Sequence, residues 1–228
     1  RLHVKQLTQS EAIENLLQDK IIAINDKAFL NPSSYQTMDS RVLLYQCGYI
    51  TLAKAFKGSN ILCKLPNFEL KSALASLQNS YLFKNNELED ISCKYSISYD
   101  LSAQQIHALL SQVLLAINYH HFKYNNESSV VLVLLGYFLG EKINAYCEDA
   151  NSNGRRDLRI DFDNNKTFVF EFKFNKKGSD ISDDELLDNA INQIKDRAYN
   201  KIVNKKVRSF ACVFNEEQRQ ISAFKELV

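Results

Sequence analysis

The stretch that decides the fold is NGRRDLRIDFDNNKTFVFEFKF, residues 153–174. Phenylalanine occupies every second position from 168 to 174, and Val169, Glu171 and Lys173 lie between these rings. A period of two is typical of a β-strand, because successive side chains of a strand point to opposite faces. This strand therefore has one aromatic face and one face that carries a carboxylate and an ammonium.

The segment before it completes a hairpin. A tight Asp-Asn-Asn turn at 163–165 predicts that Leu158 faces Phe170 and that Asp157 faces Glu171. A register shifted by one residue would mix apolar and charged positions on both faces and would reduce core burial. The favoured register therefore places the Cβ atoms of the two acids about 5 Å apart, with Lys173 one pleat further along the strand.

Two carboxylates at this distance repel each other unless a cation lies between them. Mg²⁺ suits such a pair, since it takes one or two carboxylates together with waters and phosphate oxygens. Lys173 can then either help to deprotonate a water or stabilise charge on a phosphoryl oxygen. The pattern favours metal-assisted hydrolysis of phosphodiesters. Its alternative is a solvated charged face in which Lys173 neutralises the acids.

Composition limits the classes of protein to be considered. The 228 residues include 28 Lys and Arg against 27 Asp and Glu, so any contact with nucleic acid depends on locally concentrated charge. Five scattered cysteines without a C-x-x-C pair predict a reducing compartment, the cytoplasm, and leave delivery into a host cell open. The longest apolar run, 130–140, is shorter than the roughly 20 residues of a membrane span, so we expect no membrane association. We also expect no signal peptide, and the start at Arg1 leaves open that the chain is a segment of a longer protein.

Two domains are expected. Helical spacing runs through residues 1–30, and a β-hairpin is predicted around the turn Lys57-Gly58-Ser59. The polar stretch from Lys84 to Ser98 has no periodicity and predicts a boundary. Residues 1–98 are therefore interpreted as a mainly helical, winged-helix-like region with a small hairpin, and residues 99–228 as an α/β domain.

The second domain has a regular element order. From Glu127 the pattern predicts helix, three strands, helix and two strands, which indicates a mixed sheet flanked by helices. The run ESSVVLVLLGYFLG is predicted to be a buried helix of about 13 residues. Ser182 is predicted to cap the second helix, whose first turn is acidic and whose last turn is basic.

These residues resemble the PD-(D/E)XK nuclease superfamily, whose signature is an Asp on one strand and Glu-x-Lys on the next. Here the matching stretches are GRRDL (154–158), FVFEFKF (168–174) and AINQIKDRAY (190–199), with Arg156 where the family usually has Pro. The resemblance implies a restriction-endonuclease-like αβββαβ core. It implies that Asp157 and Glu171 bind Mg²⁺ or Mn²⁺ and that Lys173 is the catalytic lysine. It also implies that Glu127 is a further metal ligand or holds a metal-bound water, and that Gln193 contacts the substrate or the metal from the second helix. Glu148 is a weaker acidic candidate, and Tyr199 matches the motif as a packing residue.

The first half of the chain resembles the end of an AAA-ATPase-like module that precedes the nuclease domain in one bacterial branch. The similar stretches are YQCGYITL, LPNFEL and NNESSVVLVLL. The segment GYFLGEK, 136–142, has one residue too few for a phosphate-binding loop and no Ser or Thr after its lysine. We therefore expect a remnant lid or tail without ATP binding.

A basic track follows the second helix, at Lys195, Arg197, Lys201, Lys205, Lys206 and Arg208. We predict that Arg155, Lys195, Arg197 and Lys201 contact nucleic acid, the alternative being a helix C-terminus enriched in cations by the helix dipole. The predicted activity is that of a Mg²⁺-dependent nuclease acting on DNA, with RNA left open. The alternative function is a catalytically silent module that binds nucleic acid or protein, and protein partners are left open.

Overall fold

The computed structural model describes residues 11–30, 38–83, 91, 97–118, 120, 122–151, 154–162, 165–196, 202 and 204–227, without the side chains of 54–57, 148–151 and 154–156. The chain divides into two compact units, Arg1–Tyr81 and Leu82–Val228. The predicted boundary stretch from Lys84 to Ser98 lies largely outside the described residues. The division into 1–98 and 99–228 therefore stays a prediction.

The first unit combines helices with a small antiparallel sheet of strand order β1-β3-β2. Its predicted hairpin is present as β2 and β3, and Gly58 in the turn between them has a positive φ of 63°. The left-handed conformation at that position favours glycine. The described elements are α1 (Glu11–Leu17), β1 (Ile22–Asn25), α2 (Asp26–Leu30), α3 (Ser40–Gln46), β2 (Thr51–Lys57), β3 (Asn60–Lys64) and α4 (Phe68–Leu82), whose last residue belongs to the second unit.

The prediction of continuous helical structure up to residue 30 is wrong in the part that the structure describes. Helix α1 ends at Leu17, and Ile22–Asn25 forms a strand in which buried and exposed residues alternate. This strand pairs with β3, Ile22 opposite Cys63 and Ile24 opposite Ile61. The isoleucines that fit a helical stripe also fit a period of two, and pairing with a distant strand decided between the two.

The second unit has the predicted element order from Glu127 onward. Its sheet has the order β4-β5-β6-β7-β8, in which β6 and β7 are parallel and the other neighbouring strands are antiparallel. A helix lies between the two parallel strands in the chain, as is usual for a parallel crossover. The elements are α5 (Ala103–Leu115), α6 (Glu127–Gly140), β4 (Asn144–Asn151), β5 (Gly154–Phe162), β6 (Lys166–Asn175), α7 (Asp183–Asp196), β7 (Lys206–Asn215) and β8 (Gln220–Leu227).

The predicted hairpin register is confirmed where the β5–β6 pairing is described. Leu158 lies opposite Phe170, Ile160 opposite Phe168, and Phe162 opposite Lys166. The turn ends at Asn165, which has a φ of 58°. Asn tolerates this left-handed conformation better than most residues do, and its place in the turn helps to set the register.

The two faces of the sheet are packed differently. The aromatic face of β6 joins that of β7, and the rings of Phe170 and Phe210 stack with centroids 5.0 Å apart. On the opposite face, α7 packs Ala190, Ile191 and Ile194 against Val169 of β6 and Ala211 of β7. Glu171 shares this second face with Val169, two residues earlier in the same strand. Helix α7 therefore covers the side of the sheet from which the acidic residue projects.

Helix α6 accounts for the long apolar run. Its residues from Val130 to Leu139 are almost all buried, and the helix packs against α5 and against strands β4, β5 and β6. Asn126 caps its start, where its side chain accepts from the Ser129 N–H. Burial on nearly every side explains the absence of a polar stripe. Among the described residues, no helix combines the length and the apolar character needed to cross a bilayer.

Candidate active site

Strand β6 brings a buried carboxylate and a lysine together. The Glu171 side chain is fully buried, and 17% of the Lys173 side chain is exposed to solvent. The Lys173 Nζ donates to Oε1 of Glu171 at 3.2 Å. The two residues lie two apart in the strand and therefore on one face, which makes this contact possible. A buried carboxylate needs such a compensating charge or hydrogen bond to stay in the interior.

Asp157 reaches the same site from β5. The described β5–β6 pairs end at Leu158 and Phe170, and beyond them Oδ2 of Asp157 accepts the backbone N–H of Phe172 at 2.8 Å. The Asp157 carboxylate thus lies against the backbone that directly follows Glu171. A side chain, rather than a strand carbonyl, satisfies this backbone donor at the point where the described ladder stops.

Both acids affect the pKa of the Cys212 thiol on β7. Burial raises the pKa of this thiol well above its ordinary value, and the charges of Asp157 and Glu171 raise it further. The placement of the two acids follows from the bond between Asp157 and the Phe172 N–H, because Phe172 directly follows Glu171. This bond brings the two acids of the predicted metal pair together across β5 and β6.

Glu127 completes the surroundings of the lysine. It is the first residue of α6, and its Oε1 lies 3.8 Å from Nζ of Lys173, with 44% of the side chain exposed. Lys173 is therefore shared between Glu171 and Glu127. Solvent reaches the cluster through the partly exposed side chains of Asp157, Lys173 and Glu127. We call these four residues the acidic cluster.

The donor set fits a hard divalent cation. Carboxylate oxygens are the ligands that Mg²⁺ and Mn²⁺ prefer, and Mg²⁺ is commonly held by one or two carboxylates with water completing its coordination. Within the part of the chain that the structure describes, no three His, Cys, Asp or Glu side chains form a group that could hold a metal ion. The fit consequently concerns the pair Asp157 and Glu171, and the predicted role of Glu127 as a further ligand stays a prediction.

The other predicted site residues differ in how far the structure places them. Gln193 is half-buried on α7, the helix that covers the Glu171 face of the sheet, and Lys195 is exposed in the last turn of that helix. Arg155 lies on β5. Arg197, Lys201 and Tyr199 lie outside the described residues, as do the side chains of Arg155 and Glu148.

Two members of the basic track have structural partners. Lys205 forms an ion pair with Asp161 at 2.8 Å. Arg208 binds Glu226 through two of its nitrogens, at 2.6 and 2.9 Å, and donates to the carbonyls of Tyr99 and Leu101. These contacts attach neighbouring segments to β7, so Lys205 and Arg208 stabilise the folded structure.

Sequence reasoning missed a polar cluster at the carboxyl ends of β6 and β7. Asn175 and Asn215 lie opposite each other there, and their side-chain amides donate to Asp183 at the start of α7, at 2.6 and 3.2 Å. Burial raises the pKa of Asp183, but hydrogen bonds from Asn175, Ser222 and Asn215 outweigh it, so the pKa lies below its ordinary value. Nothing local in the sequence connects these residues, because the strand register brings the two asparagines together.

Comparison with known proteins adds a family likeness for this unit. Residues 125–224 match the family model described as the PD-(D/E)XK nuclease superfamily. The matched region contains all four residues of the acidic cluster and Gln193. No curated protein matches the chain, and no solved structure matches it. This match does not support the predicted resemblance of the first half of the chain to an ATPase-like module, which stays a prediction.

Proposed function

We propose that the chain is a metal-dependent nuclease that hydrolyses phosphodiester bonds of DNA. The observation that carries the proposal is the meeting of Asp157, Glu171 and Lys173 across β5 and β6, with the Lys173 ammonium bonded to the buried Glu171. The match of residues 125–224 to a nuclease superfamily supports it. The mixed sheet with flanking helices is consistent with the restriction-endonuclease-like αβββαβ core that we propose for this unit.

Asp157 and Glu171 are the residues that would hold Mg²⁺ or Mn²⁺. When bound, such an ion supplies Lewis-acid polarisation of a phosphoryl oxygen and lowers the pKa of water. Glu171 contributes a carboxylate that the fold has already removed from water, and Asp157 contributes one that its bond to the Phe172 N–H orients. Both side chains are therefore preorganised.

Lys173 is proposed to donate to the phosphoryl oxygen on which negative charge develops. Its Nζ already acts as a donor to Glu171 and lies near Glu127, and these two carboxylates restrict the long side chain. A donor held in place stabilises the transition state without the cost of reorganisation. Glu127 is a positioning residue in this scheme, and Gln193 is proposed to contact the substrate from α7.

The test is cleavage of supercoiled plasmid, linear duplex and single-stranded RNA with Mg²⁺, Mn²⁺ or EDTA. The wild type is expected to nick or cut DNA only with a divalent ion, and Asp157→Asn is expected to lose this activity. Asp161→Asn is the matched control, since it changes the same residue type on the same strand and face. Gel analysis of products over time gives the rates.

The outcomes separate the candidate functions. Equal cleavage by the wild type and Asp157→Asn would show a contaminating nuclease and would contradict the proposal. Divalent-ion binding without cleavage of any substrate would favour the catalytically silent binding module. Cleavage of RNA in place of DNA would keep the chemistry and correct the substrate.

A further inference from the structure

The second unit contains a charged cavity of about 330 Å³. Three separate segments form its walls: the residues before α6, Lys177 after β6, and the turn between β7 and β8. Tyr124 forms part of the wall as a buried ring. The charged and polar lining consists of Lys123, Asn125, Lys177, Glu216, Glu217 and Arg219.

The cavity lies at the same end of the sheet as the acidic cluster. Strand β6 leads from Lys173 to its end at Asn175, and Lys177 follows two residues later. Four residues of extended chain span at most about 13 Å. On another wall, Asn125 is two residues before Glu127, which contacts Lys173. Because β6 and β7 are parallel, the turn after β7 also starts at this end of the sheet.

The lining has more cations than acids, and one of its two acids, Glu216, bonds the backbone of the wall. Oε2 of Glu216 accepts the backbone N–H of Lys177 at 2.9 Å. Glu217 forms only a surface pair with Lys177, at 3.7 Å, in which both side chains are about two-thirds exposed. Such exposed pairs contribute little stability, so an incoming anion can compete for the lysine.

Arg219 is held in a defined position. Its guanidinium lies over the ring of Tyr124, 5.4 Å from the centroid, and its backbone N–H donates to the Asn215 carbonyl at 2.8 Å. Tyr124 is itself fixed, because its hydroxyl donates to the Leu114 carbonyl at 2.8 Å within the core. The stacking on a rigid ring places a positive charge at a defined position in the cavity wall, where it attracts an oxyanion such as phosphate.

We propose that this cavity binds a backbone phosphate of the nucleic-acid substrate, next to the phosphodiester at the acidic cluster. The inference rests on the proposed nuclease function and extends it to how the strand is held. Carboxylates at the reaction site repel a polyanion, so binding requires cations nearby on the path of the strand. Lys123, Lys177 and Arg219 supply them on the side where β6 ends.

The experiment measures DNA binding in a chain that does not cleave. In the Asp157→Asn background, fluorescence anisotropy gives the Kd of a fluorescein-labelled 20-nucleotide DNA as a function of salt. The double variant Lys123→Ala/Lys177→Ala removes two exposed cations of the cavity. The matched control Lys206→Ala/Lys225→Ala removes two exposed lysines from the other half of β7 and its neighbour β8.

The cavity variant is expected to raise the Kd about tenfold or more and to reduce the salt slope by about 1 to 2, as expected for two lost phosphate contacts. The control is expected to stay within about twofold. In the cleaving chain, the cavity variant is expected to raise the KM for DNA more than it lowers kcat. Equal weakening by both double variants, or no weakening by either, would overturn the proposal.

A second substrate distinguishes failure of the phosphate-site proposal from failure of the proposed nuclease function. Hydrolysis of bis(p-nitrophenyl) phosphate by the wild type reports on the chemistry without a neighbouring phosphate. If the wild type hydrolyses this diester and the cavity variant binds DNA as well as the wild type does, the proposed phosphate site is wrong. The proposed nuclease function would remain supported. A wild type that neither hydrolyses the diester nor binds and cleaves DNA would overturn both proposals.

Discussion

The two ends of strand β6 carry opposite arrangements of charge on the same face of the sheet. Near its start, Asp161 of β5 is contacted by two cations, Lys205 at 2.8 Å and Arg159 at 3.3 Å, and it accepts from the Thr167 hydroxyl. Near its end, one cation, Lys173, is contacted by two carboxylates, Glu171 and Glu127. Asp157 and Asp161 lie four residues apart on one strand, so the same residue type serves both ends.

The two ends differ in whether the protein's own cations neutralise its acids. An acid that is matched by two cations and a hydroxyl is satisfied by the protein itself, and its pKa lies below its ordinary value although burial opposes this. A lysine shared between acids, with a third acid nearby, leaves negative charge for an external cation. The first arrangement stabilises the sheet, and the second is suited to binding a metal and a phosphate.

The largest expected effect distinguishes the two lysines. Lys173→Met is expected to lower the rate of DNA cleavage by about 10² to 10⁴-fold, because a positioned donor to the reacting phosphate is lost. Lys205→Met, the matched change at the other end, is expected to leave the rate within about threefold. Single-turnover cleavage measures both. Similar losses in the two variants would mean that the ends do not differ in function.

The second prediction concerns metal binding without catalysis. At a concentration of Mn²⁺ 100 times its Kd, the wild type is expected to gain about 2.7 kcal/mol of stability, and its melting temperature is expected to rise by several degrees. Glu171→Gln is expected to lose this gain, and Asp161→Asn is expected to retain it. Thermal unfolding followed by circular dichroism gives the shifts. A gain retained by Glu171→Gln would exclude this residue as a ligand.

The third prediction tests the structural end. Asp161→Asn is expected to lower the free energy of unfolding by about 1–3 kcal/mol, because Lys205 and Arg159 lose the charge that they share. Urea unfolding measures the loss. Asp180→Asn changes an exposed acid and serves as the control, with an expected change within about 0.5 kcal/mol. A stable Asp161→Asn variant would show that solvent already screens these pairs.

The smallest effect concerns the start of α7. Asn175→Ala is expected to cost about 1 kcal/mol at neutral pH, because Asp183 loses one of its donors. The folded-state pKa of Asp183 lies below its ordinary value of 3.8, so its contribution is present above that value and is lost as the pH falls through the folded-state pKa. The difference between the wild type and the variant is therefore expected to shrink in acid.

Urea unfolding between pH 7 and pH 2 checks the acid dependence. Asn192→Ala, an exposed asparagine on the same helix, is the control and is expected to show no such pH dependence. A deficit of Asn175→Ala that stays constant down to the lowest pH would show that the Asp183 charge plays no part in it.

Local pattern was sufficient to predict the hairpin and its register. The alternation on β6 and the Asp-Asn-Asn turn are short-range signals, and they predicted the pairing of Leu158 with Phe170 that the structure has. They also led to the two acids and the lysine as the candidate site. The same kind of reasoning failed at Ile22–Asn25, where a run compatible with either period became a strand by pairing with β3.

By itself, the sequence determined which residues share a face of β6, because a period of two and a turn act over a few residues only. Tertiary structure alone decided that Glu127 reaches Lys173, that Asn175 and Asn215 meet at Asp183, and that Arg219 lies over Tyr124. Each of these contacts joins segments that are separate in the chain and depends on how helices and strands pack. No local pattern encodes such a contact, since its geometry exists only after the sheet and its helices have assembled.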